Sequence, residues 1–200
     1  MYLIEKTAEF DKWLRKLKVL KAKAKILIRI QKLETSEHFG DNESIGDGIR
    51  ELKIDYAKGY RIYFKEQEGK IIILIFGGDK STQNKDIERA KLILSSLKNY
   101  IMETTKFDVA DYLDSNEMIV AYLNTVLAEG NDADVIVAIG NVAKSIGMSK
   151  IANETGLSRP SLYKALSDGS KPQFETVMKV LRAIGGQLQI NPSSEEMAIS

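Results

Sequence analysis

The chain has 200 residues, with 29 Lys and Arg against 28 Asp and Glu, one histidine and no cysteine. That length suits one large or two small domains, the missing cysteine excludes a disulfide framework and thiolate zinc, and a lone imidazole excludes His-rich metal sites. The near-neutral total hides a split: residues 1–100 carry about 21 basic against 15 acidic side chains and residues 101–200 about 8 against 13, so a basic half suited to a polyanion precedes an acidic one. No apolar run approaches the roughly 18 residues of a membrane span, and "MYLIEKTAEF" is no signal peptide, so a soluble cytoplasmic protein is expected.

In chain order, "YLIEK" reads as a first strand. Apolar residues at helical spacing follow: Phe10, Trp13, Leu14 and Leu17, then Leu20, Ala24, Leu27, Ile28, Ile30 and Leu33. They predict two helices that break near Lys18 to Leu20, with the intervening lysines as a solvated face. "HFGDNESIGDG" is rich in turn residues and reads as a loop, with His38 as an incidental surface residue. "IRELKI", "YRIYFKE" and "KIIILIFGG" are strand patterns, the latter two joined as a hairpin. A helix is expected over residues 83–98, with Ile87, Ala90, Leu94 and Leu97 inward.

The stretch "IFGGDKSTQNKDIERA" has the order of parts of a phosphate-binding loop. Its spacing does not fit one: with Lys80-Ser81 on the pattern, Asp79 and Leu74 stand where glycines must be. The plain reading is a strand-to-helix connection, with Ser81 or Thr82 as N-cap and the glycines at unusual φ. That reading leaves unexplained why Lys80, Gln83 and Lys85 crowd the end of a buried strand.

"GDGIRELKIDYAKGYRIYF" and "ILIFGGDKSTQNKDIERAK" resemble the addiction-module killer proteins of the RelE/ParE superfamily, in the phage-derived HigB-type branch. The resemblance implies a small antiparallel sheet carrying a helical hairpin, and a toxin that stops translation by cleaving mRNA on the ribosome. Attack of a ribose 2′-hydroxyl on the neighbouring phosphate needs a base, a cation for the phosphorane and an acid for the leaving oxygen, and no metal or other cofactor. Arg61, Tyr63, Lys80 and Gln83 are the expected catalytic residues, and Arg50, Lys53 and Lys85 the expected RNA-binding ones. The alternative is that Arg61 and Tyr63 only cover a sheet edge while Asp79 pairs with Lys80.

In the acidic half, "NEMIVAYLNTVLAEG" reads as a helix capped by Asn116 or Ser115, stopped by Gly130, with Ile119, Tyr122, Leu123, Val126 and Leu127 inward. "DADVIVAIGNVAKSIG" is another helix. In "MSKIANETGLSRPSLYKALSDG", Ala152, Gly156 and Leu162 have helix-turn-helix spacing, Ser158 caps the second helix and Pro160 sits in its first turn. "FETVMKVLRAIG" closes the bundle and "GQLQI" reads as a short terminal strand. "MSKIANETGLSRPSLYKALS" and "PQFETVMKVLRAIG" resemble the antidote proteins of the same modules, all-α helix-turn-helix proteins of the lambda-repressor type in the HigA manner. Met102 looks like the start of such a protein.

By this resemblance, Ser158, Arg159, Ser161, Tyr163 and Lys164 meet operator DNA, with Tyr163 as readily a core residue. A homodimer through this half would double the contacts. The expected organisation is α+β: a toxin domain over residues 1–98, a linker and the start of the antidote over 99–115, a helix-turn-helix antidote domain over 116–192 and a tail over 193–200. The expected partners are mRNA and ribosome, operator DNA, and each half for the other. The rival readings are a DNA-binding repressor with an inert RelE-like half, and a pure protein-interaction module.

Overall fold

A computed structural model describes residues 2–35, 39–69, 71–98 and 103–189. His38, Met102 and the segment 193–200 lie outside them. The chain is α+β and divides into two compact units, 1–131 and 132–200.

The first unit runs β1 (Leu3–Lys6), α1 (Ala8–Lys16), α2 (Leu20–Thr35), β2 (Asn42–Gly46), β3 (Ile49–Ile54), β4 (Tyr60–Gln67), β5 (Ile71–Asp79), a 3₁₀ turn (Lys80–Thr82), α3 (Gln83–Lys98), β6 (Thr105–Lys106), a second 3₁₀ turn (Val109–Tyr112) and α4 (Asn116–Glu129). The sheet has six strands in the order β2-β3-β4-β5-β1-β6. It is mixed rather than purely antiparallel as expected, because β1 lies parallel to β5. β1 leads into helices instead of a hairpin turn, so nothing local forces it to run against its neighbour. The turn-rich stretch read as a loop contains β2, paired to β3; its polar side chains mask the strand because it is an exposed edge.

Thr7 fixes α1 to the sheet. Its hydroxyl donates to the Ile75 carbonyl (2.7 Å) and accepts from the Phe10 N–H as N-cap (3.1 Å). A Cβ on Gly77 would run into the Trp13 ring of α1, and one on Gly78 into the Asp86 carboxylate of α3. Successive strand residues point to opposite faces, so α1 and α3 cover opposite faces of β5. On the α3 face, Tyr63, Ile73, Phe76, Ala90, Ile93 and Leu94 form the core, with Ile87 and Leu97 partly buried against it.

Helix α2 buries Ala22, Lys23, Ala24, Ile26, Leu27, Ile28, Ile30, Gln31 and Leu33. A helix lying on a sheet buries one stripe; these residues surround the axis, so α2 is covered on a second side. The cover is α4, whose Tyr122 hydroxyl donates to Gln31 Oε1 (2.6 Å) and whose Glu129 pairs with Lys25 (2.6 Å). Ser115 caps α4 and Gly130 ends it, while Met118, Tyr122, Thr125 and Val126 face in. Leu127, expected inward, is 59% exposed, because the buried face is rotated towards Thr125.

The segment before α4 is pinned as well. β6 pairs antiparallel with β1, and the Phe107 N–H donates to the Ile4 carbonyl (2.9 Å). The fully buried Tyr112 stacks on Phe107 and donates to Asp11 Oδ1 (2.7 Å). Lys6 donates to the Tyr112 hydroxyl (3.0 Å) and pairs with Asp11 (2.9 Å), and the Arg15 guanidinium lies over the Tyr112 ring (4.9 Å).

The second unit contains α5 (Asp132–Ile146), α6 (Met148–Thr155), α7 (Arg159–Ala165) and α8 (Phe174–Ala183). Gly140 lets α5 approach the Leu166 carbonyl more closely than any side chain would allow. Ala152 and Leu162 are buried, and Gly156 turns the chain between α6 and α7 at φ +71°. The described part of "GQLQI", Gly186–Gln189, forms no strand: no neighbouring strand pairs with it, and Leu188 is exposed. Among the described residues no single helix is long and apolar enough to cross a membrane.

Candidate functional site

Neither Gly77 nor Gly78 takes a left-handed φ, so the expected unusual φ is replaced by another reason for glycine. Both belong to β5 and are small because a ring and a carboxylate occupy the space above them. The cap beyond them is neither Ser81 nor Thr82. Asp79 is the N-cap of the 3₁₀ turn, accepting from the Ser81 N–H (2.9 Å), because it directly precedes the first helical residue. The ion partner of Asp79 is Lys58 (3.9 Å), not Lys80. Thr82 instead donates to Asp86.

β3, β4 and α3 bring one polar group of side chains together. Glu51 on β3 is 1% exposed and accepts from Gln83 Nε2 at both oxygens (2.9 and 3.0 Å). Arg61 on β4 faces the same carboxylate, Nε to Oε1 at 3.6 Å, and donates from Nη1 to the Tyr60 carbonyl (3.0 Å). Its guanidinium reaches Gly59, where a Cβ would lie 3.4 Å from Arg61 Nη1 and 3.7 Å from Lys80 Cβ. Lys80 is tied to the same point by its N–H to the Gly59 carbonyl (2.8 Å). The Arg61 guanidinium and the root of the exposed Lys80 side chain therefore both lie at Gly59, which sits at φ +69°.

Tyr63 is fully buried beside this group, opposite Glu51 in the β3–β4 register, and its hydroxyl has no hydrogen-bond partner. Burial, with the Glu51 and Asp86 carboxylates, pushes its phenol well above the ordinary range. Burial also raises the Asp86 carboxyl, with Asp79 adding to the effect and Thr82 and Arg89 opposing it.

Of the expected catalytic residues, Arg61 and Gln83 share Glu51, Lys80 meets Arg61 at Gly59, and Tyr63 supports them from the core. The expected RNA-binding residues do not join this group. Arg50 bonds Asn42 (2.7 Å) and lies over the Phe39 ring, Lys53 pairs with Glu43 (3.1 Å), and Lys85 is exposed on α3. Glu51 and Asp86 escaped the sequence reading. The one available signal was the alternation Ile49-x-Glu51, which puts a carboxylate on an inward position of a strand.

In the second unit, Ser158 accepts from the Ser161 N–H (3.2 Å) as N-cap of α7. Arg159, Ser161 and Lys164 project outwards, and Tyr163 is 48% exposed, so it is no core residue. Ser161 and Lys164 border an open cleft of about 480 Å³ that continues over Ser167–Lys171.

Residues 12–98 match the family model described as "Phage derived protein Gp49-like", and residues 103–192 match that described as "Probable addiction module antidote protein". Two relatives are uncharacterized proteins of Haemophilus influenzae. One is 55% identical over 94 residues, 47% of this chain and 94% of its own length. The other is 47% identical over 87 residues, 44% of this chain and 90% of its own length. No solved structure matches the chain.

Proposed function

The chain belongs to the phage-derived Gp49-like family over residues 12–98 and to the addiction-module antidote family over residues 103–192, which makes it a toxin–antitoxin module; from that premise we propose that its first part is a RelE/ParE-like, HigB-type mRNA endoribonuclease. The second part is a HigA-type helix-turn-helix antidote that silences the first and, as a dimer on operator DNA, represses its own operon. The toxin works on ribosome-bound mRNA in the cytoplasm.

The observation that carries the nuclease reading is the Arg61 guanidinium, oriented by buried Glu51 and the Tyr60 carbonyl, with the exposed Lys80 rooted at the same glycine, Gly59. In this reading a ribose 2′-hydroxyl loses its proton and attacks the adjacent phosphorus. The P–O5′ bond breaks, the 5′-oxygen takes up a proton, and a 2′,3′-cyclic phosphate and a 5′-hydroxyl end result. Negative charge grows on the non-bridging oxygens in between, and Arg61 and Lys80 stabilise it. Glu51 and Gln83 hold Arg61 in place before the substrate arrives, which spares reorganisation in the transition state.

Silencing is attributed to residues 103–131, which belong to the antidote match yet fold into the first unit through β6, Tyr112 and α4. Among the described residues, no hydrogen bond or ion pair joins this segment to Arg61, Glu51, Lys80 or Gln83.

Cell-free translation tests the reading. Residues 1–98 should arrest translation and cut mRNA, and added residues 103–200 should restore synthesis. Arg61→Ala should lower cleavage about 10²–10³-fold, the loss typical of one transition-state donor. A folded 1–98 fragment that leaves mRNA intact would reduce the chain to its repressor function.

A further inference from the structure

We propose that a cleft at the free edge of β5, walled by Trp13 and Phe76 and rimmed by Lys12, Lys16 and Arg89, is a binding subsite for single-stranded RNA. The proposal rests on the nuclease reading for its physiological ligand, but its geometry is independent of Arg61.

β1 pairs with β5 only as far as Leu74, and Thr7 takes up the Ile75 carbonyl. From Phe76 onwards that edge of β5 has no strand beside it, and α1 and α3 flank the gap. The result is a cleft of about 410 Å³. Its wall is rigid: the Trp13 ring lies on the Gly77 backbone and against Phe10, with centroids 5.6 Å apart. Arg89 sits over the Phe76 ring (4.7 Å). Lys12 and Lys16 are exposed and form no ion pair among the described residues. One Glu9 oxygen is buried at the cleft without any donor.

Each feature has a counterpart in an RNA strand. The half-buried Trp13 ring is a platform on which a base of any sequence can stack, buried Phe76 closes the wall beneath Arg89, and cations track the backbone. The unsatisfied Glu9 oxygen accepts from a base N–H or a ribose 2′-hydroxyl, the group that separates RNA from DNA. Arg61 pairs with Gly78 across the other edge of β5. Cross-strand partners share a face, so Arg61 lies on the α3 face of β5 and Trp13 on the α1 face, and the subsite is separate from the Arg61 group.

Trp13 is the only tryptophan in the chain, so its fluorescence reports on this cleft alone. Intact protein titrated with oligouridylate at low salt should show saturable quenching, and duplex DNA of equal charge should leave the signal unchanged. By anisotropy of labelled oligouridylate, Trp13→Ala should weaken binding about tenfold and Trp13→Phe only a few-fold. Lys12→Ala and Lys16→Ala should each lower the salt slope by about one. Arg61→Ala should keep the quenching in the intact chain while lowering cleavage by residues 1–98 about 10²–10³-fold. Labelled RNA that binds without quenching, RNA that does not bind, or equal quenching by duplex DNA would overturn the subsite. Absent quenching beside Arg61-dependent cleavage would reject the cleft and spare the nuclease, and the reverse pattern would do the opposite.

Discussion

A carboxylate as buried as Glu51 loses its hydration and is tolerated only with partners; here they are Gln83 and Arg61. Glu51→Ala would leave a largely buried guanidinium with the Tyr60 carbonyl alone, and should cost roughly 3 kcal/mol in urea unfolding. Glu51→Gln keeps an acceptor for Gln83 and should cost less. An unchanged midpoint for Glu51→Ala would mean the group contributes nothing to the fold. Gly78→Ala should displace Asp86 at a cost of about 1–3 kcal/mol, and Gly77→Ala should shift the emission of Trp13 by pushing its ring away. The glycine pair was visible in the sequence, but its cause was not. Turn glycines and clearance glycines look alike in one dimension, and only the ring of Trp13 and the carboxylate of Asp86 distinguish them. Glu51 was hidden for a related reason: its partners come from β4 and α3, far along the chain.

The helices and inner strands of the first unit were legible, since Phe10, Leu14, Leu27 and Leu33 keep helical spacing and "YRIYFKE" keeps strand composition. β2 and β6 were not, because a polar edge strand and a two-residue strand carry no apolar alternation. Nor did the pattern of α2 reveal that its second side is covered by α4. The segment leading into α4 gives a pH prediction through Asp11. Burial works to raise its carboxyl, and the hydrogen bonds from Tyr112, Lys6 and Arg15 outweigh it, holding the value at about 2 against an ordinary 3.8. A depressed carboxyl stabilises above its ordinary value and ceases to as pH falls through the folded value. The attachment of Tyr112 should therefore weaken between about pH 4 and pH 2, by about 1–2 kcal/mol after allowance for solvent screening. Hydrogen exchange at the Phe107 N–H should report it, and Asp11→Asn should flatten the response. Tyr112→Phe removes the donor to Asp11 and should loosen the same amide by about 1–3 kcal/mol. Protection that stays level across this range would refute the coupling.

At the scale of the molecule, the antidote match is divided between the two units, and the proposed function assigns silencing to its stretch in the first and DNA binding to its stretch in the second. A chain of residues 1–131 should therefore fold, remain harmless on expression and fail to shift operator DNA. Residues 1–98 should be toxic, and the whole chain should be harmless and bind DNA. Toxicity of 1–131 equal to that of 1–98 would place silencing elsewhere. Arg159→Ala should cost about 1–3 kcal/mol at one operator position if Arg159 reads a base, whereas a uniform loss over all sequences would make it a phosphate contact. The burial of α2 on both sides also has a consequence in time. A ribosome making this chain exposes α2 before α4 exists, and at about 5–20 residues per second the stretch from 98 to 131 takes only a few seconds. Two separate messages would leave that interval to diffusion and to the relative abundance of two products. A single reading frame fixes the ratio at one to one and makes the interval a matter of elongation rate, so under the proposed function a ribosome that terminates early within those codons would release a toxin whose α2 lacks its cover.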